Sequence, residues 1–295
     1  MNGVLRRGAW LGGAVAGGAV FGRRALCDGP PPVEDRPLFR PVQPYPHWDK
    51  DWDGLDDKAR RGAPTRHIIL IRHGQYEEAS KDDELRVLTP LGRAQALATG
   101  ARLADLLAGA SPDAPIRVRV STMQRARETR EVLAPLLPSR AVLEEPEKRL
   151  EEGRPSHAIP GHAFSARTVE VDGAPARGGL CSPLPTRRPL AKRPLTHRAG
   201  ARIESAFRSI FKRGTQGEHK HEYDIIVCHG NVIRYMSMRA LQLPPEAWLR
   251  LCTFNCSISY FIVRPSGSVS MRTMGDVGHL EASKLSFSGH HGLEW

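Results

Sequence analysis

Two short runs of branched apolar residues, His67–Arg72 (HIILIR) and Asp224–Cys228 (DIIVC), each lead straight into a His-Gly pair: His73-Gly74 and His229-Gly230. Runs this short and this apolar suit strands buried on both faces of a sheet. Between and after them the period changes from strand to helix. Thr89-Pro90 opens a helix with Pro at its first position and an apolar stripe of Leu91, Ala94, Ala98, Leu103, Leu106 and Leu107. Ile116–Val120 predicts a second strand, ending in Ser121-Thr122, and then a helix carrying Arg125, Thr129, Val132 and Leu136 that stops before Pro138. Val142–Leu143 fits a short edge strand. Arg202–Lys212 is a helix with Ile203, Phe207, Ile210 and Phe211 on one side, and Asn231–Leu241 is another. Ser257–Val263 and Val269–Thr273 form a strand pair around the turn Pro265-Ser266-Gly267. Strands alternating with helices imply an α/β layered domain with a largely parallel sheet. Ligands of such sheets bind beyond the C-terminal strand edge, where both His-Gly pairs fall.

The 295 residues carry 43 Lys+Arg against 32 Asp+Glu, a net charge of +11 that would ordinarily raise nucleic acid or an anionic membrane as partner. Most of the excess lies between Arg154 and Arg213, where twelve basic residues face three acidic ones. Apart from Phe164, the aromatics of that stretch, Phe207 and Phe211, fall on the apolar side of the Arg202–Lys212 helix, so specific nucleic-acid binding is not expected. From Pro155 to about Arg198 no period of 2 or 3.6 is sustained, and residues 155–198 read as an irregular basic insertion. The five cysteines outline neither a disulfide framework nor a metal site; Cys252 and Cys256 form a lone pair without companion ligands.

The N-terminus has a character of its own. Arg6 and Arg7 precede fifteen uncharged residues, Gly8–Gly22, and Arg23 and Arg24 follow. As a helix that stretch spans roughly 22 Å, short of the ~30 Å hydrocarbon core. A membrane anchor, a cleaved leader and a flexible Gly/Ala leader are equally compatible with it. A Pro-rich linker follows, and then Trp48-Asp49-Lys50-Asp51-Trp52-Asp53. Two rigid indoles outside any core pattern suit either docking into a partner or a turn packed on the chain's own domain. Residues 1–30 thus form a separate segment, expected as a membrane anchor or targeting leader if not a flexible one, 31–62 a Pro-rich linker with this motif, and 63–295 the folded body.

One histidine at a sheet edge is ordinarily structural. Two in equivalent places, one beside Arg72, are harder to explain that way. Arg72 and Arg125 supply planar cationic forks suited to phosphoryl oxygens. A neutral imidazole is nucleophilic near pH 7 without a metal. The sequence resembles the histidine phosphatase superfamily, the phosphoglycerate mutase-like clan. The resemblance rests on Leu70–Gly74, Leu88–Gly92 with Gln95-Ala96, Ser121–Ala126 with Thr129, Glu152-Gly153, and Cys228–Asn231, in family order over about 200 residues. It implies a three-layer α/β/α fold, His73 as the phosphoryl acceptor, and a clamp of Arg72, Arg125 and His229. It also implies Glu152, rather than the adjacent Glu151, as proton donor and then base. No metal and no cofactor is implied.

Gln75-Tyr76 after the first His-Gly differs from a mutase, which would carry Glu there. The branch most resembled is that of mitochondrial protein serine/threonine phosphatases, which implies phosphoprotein substrates. Trp48, Asp49, Trp52 and Asp53 resemble that branch's self-assembly motif, with Asp51 where Asn is usual. The branch also carries an N-terminal single-pass anchor in a mitochondrial membrane, outer or inner, which favours the anchor reading of Gly8–Gly22. Residues 155–198 depart from the branch, whose shorter segment there holds a Trp and acidic residues. The readings left open are a small-molecule phosphatase or mutase-like enzyme, and a catalytically weak assembly protein.

Overall fold

The computed structural model describes residues 48–55, 62–156, 198–215, 217 and 219–287. The N-terminal segment, most of the Pro-rich linker and residues 157–197 of the basic insertion lie outside the described residues. Among the described residues no helix is long and apolar enough to cross a membrane.

The described residues form one sheet of six strands: β1 (Thr65–Arg72), β2 (Ile116–Val120), β3 (Ala141–Leu143), β4 (His221–Cys228), β5 (Ile258–Val263) and β6 (Val269–Asp276), in the order β3-β2-β4-β1-β5-β6. The first four run parallel, while β5 is antiparallel to both β1 and β6. Helices α1 (Pro90–Leu107), α2 (Gln124–Leu133), α3 (Arg198–Ile210) and α4 (Gly230–Ala240) cover its two faces.

The layering follows from the two-residue period of a strand. On β1 and β4, Ile68, Leu70, Ile226 and Cys228 face one way and pack with Ile203, Phe207, Val232 and Ile233 of α3 and α4. Their neighbours Ile69, Ile71, Ile225 and Val227 face the other way, onto Leu103, Ala126 and Leu133 of α1 and α2. Both faces are dry, which is why these strands read as unbroken apolar runs. Each such side chain contributes roughly 1.5–3 kcal/mol by burial.

Two helices differ from their sequence reading. The buried face of α1 keeps only Leu103 and Leu107 of the Leu/Ala stripe. It carries Gly92, Gln95, Ala96, Thr99, Gly100, Leu103 and Leu107, whereas Leu91, Ala94, Ala98 and Leu106 are only half-buried. Polar groups can occupy that face because each is bonded. Gln95 accepts from Gln75 N–H at 3.0 Å and donates to Lys284 O, and the Thr99 hydroxyl donates to Gln95 O or Cys256 O. Helix α2 stops at Leu133 and tightens into a 3-10 turn over Ala134–Leu136, leaving Leu136 36% exposed. Pro135 has no N–H to continue the α ladder.

At the end of the sheet away from the His-Gly pairs, His67 is buried between aromatic rings. It lies 2.6 Å from Tyr260 Oη and 2.9 Å from His221 Nδ1, and it stacks on Tyr223 at 4.4 Å. Burial, then the nearby His221 and Arg272 charges, push its pKa down to about 4. The unfolded chain therefore binds this proton more tightly. The stability His67 contributes is intact above about pH 6.5 and is lost as pH falls toward 4, by on the order of 3 kcal/mol. Urea unfolding at pH 7 and pH 4.5 should show a smaller acid loss in His67→Gln than in wild type. Equal losses would mean that His67 titrates normally.

The Trp48–Asp53 segment packs on its own chain. Both indole N–H groups donate to Gly267 O, at 3.2 Å from Trp48 and 2.8 Å from Trp52, and Trp52 lies against the α3/α4 core. Gly267 has φ +83°, and a Cβ there would meet Lys50 O at 2.3 Å, so the turn accepts the segment only with glycine. Asp49 exchanges two hydrogen bonds with the Gln242 amide. Asp53 pairs with the buried Arg213 through its backbone N–H, Nε and Nη2. Burial works to raise the Asp53 pKa, but these bonds, a Leu55 N–H and the Arg213 charge hold it below the usual range.

Candidate active site

Strand register brings the two histidines together. Arg72 of β1 stands opposite Cys228 of β4, so the next residues, His73 and His229, emerge side by side with ring centroids 5.1 Å apart. Strand β2 lies on the other side of β4, and Ser121 N–H donates to Val227 O just beyond its end. The chain then turns into α2, whose second residue is Arg125. Gly74 and Gly92 allow the loop after β1 to lie against α1. A Cβ on Gly74 would meet Gly92 O at 2.6 Å, and one on Gly92 would meet Gln75 O at 1.9 Å.

His73 is 2% exposed, and its Nδ1 lies 2.8 Å from Gly74 O. A carbonyl can only accept, so Nδ1 carries the proton and Nε2 keeps its lone pair. Arg125 Nε donates to that lone pair at 3.2 Å. Desolvation, then the charges of Arg125 and Arg72, drive the His73 pKa well below its usual value, so the ring is neutral at pH 7. His229, fully buried, is depressed by the same causes, with His73 itself also contributing. Its Nε2 lies 2.8 Å from Ser121 Oγ, and its buried Nδ1 has no hydrogen-bond partner among the described residues.

Two arginines complete the group. Arg72 donates from Nη1 to Thr253 O at 2.7 Å. Burial pushes its pKa down to about 10 against the opposing pull of Glu152, which leaves it charged at neutral pH. Arg125 also reaches Asp83 Oδ1 at 3.2 Å and lies 4.7 Å from the Tyr76 ring centre. The Tyr76 ring meets Arg86 on another side at 5.0 Å and the His73 ring edge-on at 5.1 Å.

The adjacent carboxylates part company. Glu151 accepts from the Thr122 hydroxyl at 2.6 Å. Glu152 takes the Gly153 N–H at 3.0 Å and lies within the fields of Arg72 and Arg125. Burial dominates these pulls and raises its pKa, the direction a proton donor requires. Arg202 of α3 clamps the backbone here, donating to Glu151 O at 2.8 Å and Glu152 O at 3.0 Å.

Of the residues singled out in the sequence, His73, His229, Arg72, Arg125 and Glu152 thus lie around one site, whereas Trp48, Asp49, Trp52 and Asp53 bind a different surface, formed by Arg213, Gln242 and Gly267. Sequence reasoning gave no place in the site to Tyr76, Asp83 or Arg86, which sit in a polar segment with no period to mark them. It also gave no role to Ser121, although Ser121 lies inside a motif that carried the resemblance.

The profile of the histidine phosphatase superfamily (branch 1) matches residues 68–169 and 179–276. The chain belongs to this superfamily. Among curated relatives of this histidine phosphatase, a Caenorhabditis elegans protein named serine/threonine-protein phosphatase Pgam5, mitochondrial, is 38% identical over 83% of this chain and 82% of its own length. The Xenopus tropicalis protein of the same name is 41% identical over 75% of this chain and 68% of its own. Among solved structures, a Plasmodium falciparum phosphoglycerate mutase is 28% identical, with a TM-score of 0.46, over 76% of this chain and 99% of that one.

Proposed function

We propose that this histidine phosphatase is a protein serine/threonine phosphatase, anchored at a mitochondrial membrane by its N-terminal segment and regulated by self-assembly. The observation that carries the catalytic part is the His73 tautomer: a neutral ring with Nδ1 held by Gly74 O and its Nε2 lone pair among cationic forks. Nε2 attacks phosphorus and the bond from phosphorus to the Ser or Thr oxygen breaks. Arg72, Arg125 and His229 bind the phosphoryl oxygens. Protonated Glu152 gives its proton to the leaving oxygen. The Glu152 carboxylate then takes a proton from water, whose oxygen attacks phosphorus and breaks the P–N bond. Inorganic phosphate leaves and His73 is restored. The names of the relatives support the substrate class and the mitochondrial setting.

Glu152 offers the sharpest test of this cycle. Glu152→Gln should lower phosphothreonine-peptide turnover by about 10²–10⁴-fold. With p-nitrophenyl phosphate, whose leaving group needs no proton, the variant should still release a first equivalent of p-nitrophenol and then stall for want of a base. Stopped-flow absorbance reads this directly. Loss of the burst along with the steady state would count against the assigned role. In wild type, the raised Glu152 pKa means that kcat/KM for peptides should fall as pH rises through it.

Assembly is read from the resemblance of Trp48 and Trp52 to a self-assembly motif, and both indoles also pack on their own chain. The double variant Trp48→Ala/Trp52→Ala should sediment as a smaller species than wild type, with lower activity if assembly aligns the site. An unchanged sedimentation profile would remove the assembly role.

A further inference from the structure

Arg234, on the second turn of α4, is 2% exposed. Other buried arginines of this fold are paired: Arg66 with Asp224, Arg125 with Asp83 and Arg213 with Asp53. Arg234 makes no ion pair among the described residues. Its Nη1 donates a long 3.3 Å bond to Asn231 Oδ1, a second bond involves Cys252, and its buried Nε has no partner among the described residues. A desolvated cation without a carboxylate is costly, and such sites are characteristic of function rather than structure.

The surroundings point to a substrate anion. The Arg234 and Arg72 guanidinium groups lie 5.8 and 5.3 Å from the centre of the same ring, Phe287, so Arg234 stands beside the phosphoryl site. Arg234 adds a like charge next to Arg72, and it feels the field of Glu152 without forming an ion pair with it among the described residues. The phosphoryl clamp of Arg72, Arg125 and His229 does not include Arg234, whose guanidinium lies outside that set. A planar guanidinium with free donors matches a carboxylate in shape and charge.

We propose that Arg234 forms a second anion-binding position beside the phosphoryl pocket and selects phosphoserine and phosphothreonine substrates that carry an acidic side chain next to the phosphorylated residue. The proposal rests on the phosphatase reading above and names the substrate feature that the same site selects. Neighbouring residues of a peptide are under 4 Å apart along the chain, so an adjacent Asp or Glu reaches a group beside the pocket.

The test is binding without turnover. The full-length His73→Ala protein is titrated with fluorescent phosphothreonine peptides that differ only in having Glu, Gln or Lys at the flanking positions. The Glu peptide should bind about tenfold tighter than the Gln peptide, with Lys weakest. In His73→Ala/Arg234→Gln the Glu-to-Gln ratio should fall to near one, and Arg234→Lys should restore part of it. Equal affinities in the Arg234-intact protein would overturn the proposal and require no further variant to fold. A Glu preference that survives Arg234→Gln would overturn it as well. A wild-type protein that prefers the Glu peptide but releases no phosphate would sink the phosphatase reading alone. Phosphate release with no preference would sink this inference alone.

Discussion

His73→Ala should abolish phosphate release from a phosphothreonine peptide, a loss of at least about a thousandfold, while the protein unfolds at an unchanged urea midpoint. Without an imidazole Nε2 no covalent phosphoryl acceptor remains; Arg72, Arg125 and His229 can still bind the phosphoryl group, and binding alone sustains only a small residual rate. The fold should tolerate the change because the loop after β1 is held by its backbone: His73 N–H donates to Cys228 O at 3.0 Å, and Asn255 Nδ2 donates to His73 O at 3.1 Å. Rapid quenching of wild type with labelled peptide should trap phosphate on the protein in an acid-labile, alkali-stable form, absent from the variant. Wild-type-like turnover by His73→Ala would end the phosphohistidine mechanism.

Asp224→Ala should be the most damaging change to stability, costing about 3–5 kcal/mol with no direct effect on the chemistry. Asp224 is fully buried at the middle of the sheet. It pairs with Arg66, accepts from Arg117 Nε at 2.9 Å, and has Arg119 Nε at 3.9 Å. Burial works to raise its pKa, but the bonds and charges of Arg117 and Arg66 hold it below the usual carboxylate range. Arg66 also donates to Ile210 O and Lys212 O, both at 2.7 Å, and so ties β1 to the end of α3. Removing the carboxylate strands that guanidinium in a dry interior, with only Glu222 at 3.6 Å to answer it. Chemical denaturation reads the loss. A cost under about 1 kcal/mol would show that Glu222 and water compensate.

The Asp224 group shows why a sequence reading of strands is only half of a fold. Asp224 begins an apolar run and looks like its polar edge, yet it lies fully buried. Gln95 and Thr99 do not count toward an apolar stripe for the same reason: a polar residue on a helix counts as exposed until the groups that bond it are known. Those groups, Gln75, Lys284 and Cys256, come from remote parts of the chain.

What the sequence determined by itself was local. Branched apolar runs marked β1 and β4, Thr89-Pro90 marked the start of α1, and the two His-Gly pairs marked the sheet edge where chemistry belongs. Each of these signals lies within a few residues of chain, where period, proline and glycine act directly on the backbone. The tertiary structure alone decided which groups meet. Pairing Arg72 with Cys228 set the imidazoles side by side, and a one-residue slip would have put one of them on the opposite face. The fold likewise separated Glu151 from Glu152, laid Asp83 against Arg125, and left Arg234 desolvated with no ion pair among the described residues. Such contacts join residues tens to hundreds of positions apart, and no local pattern specifies them.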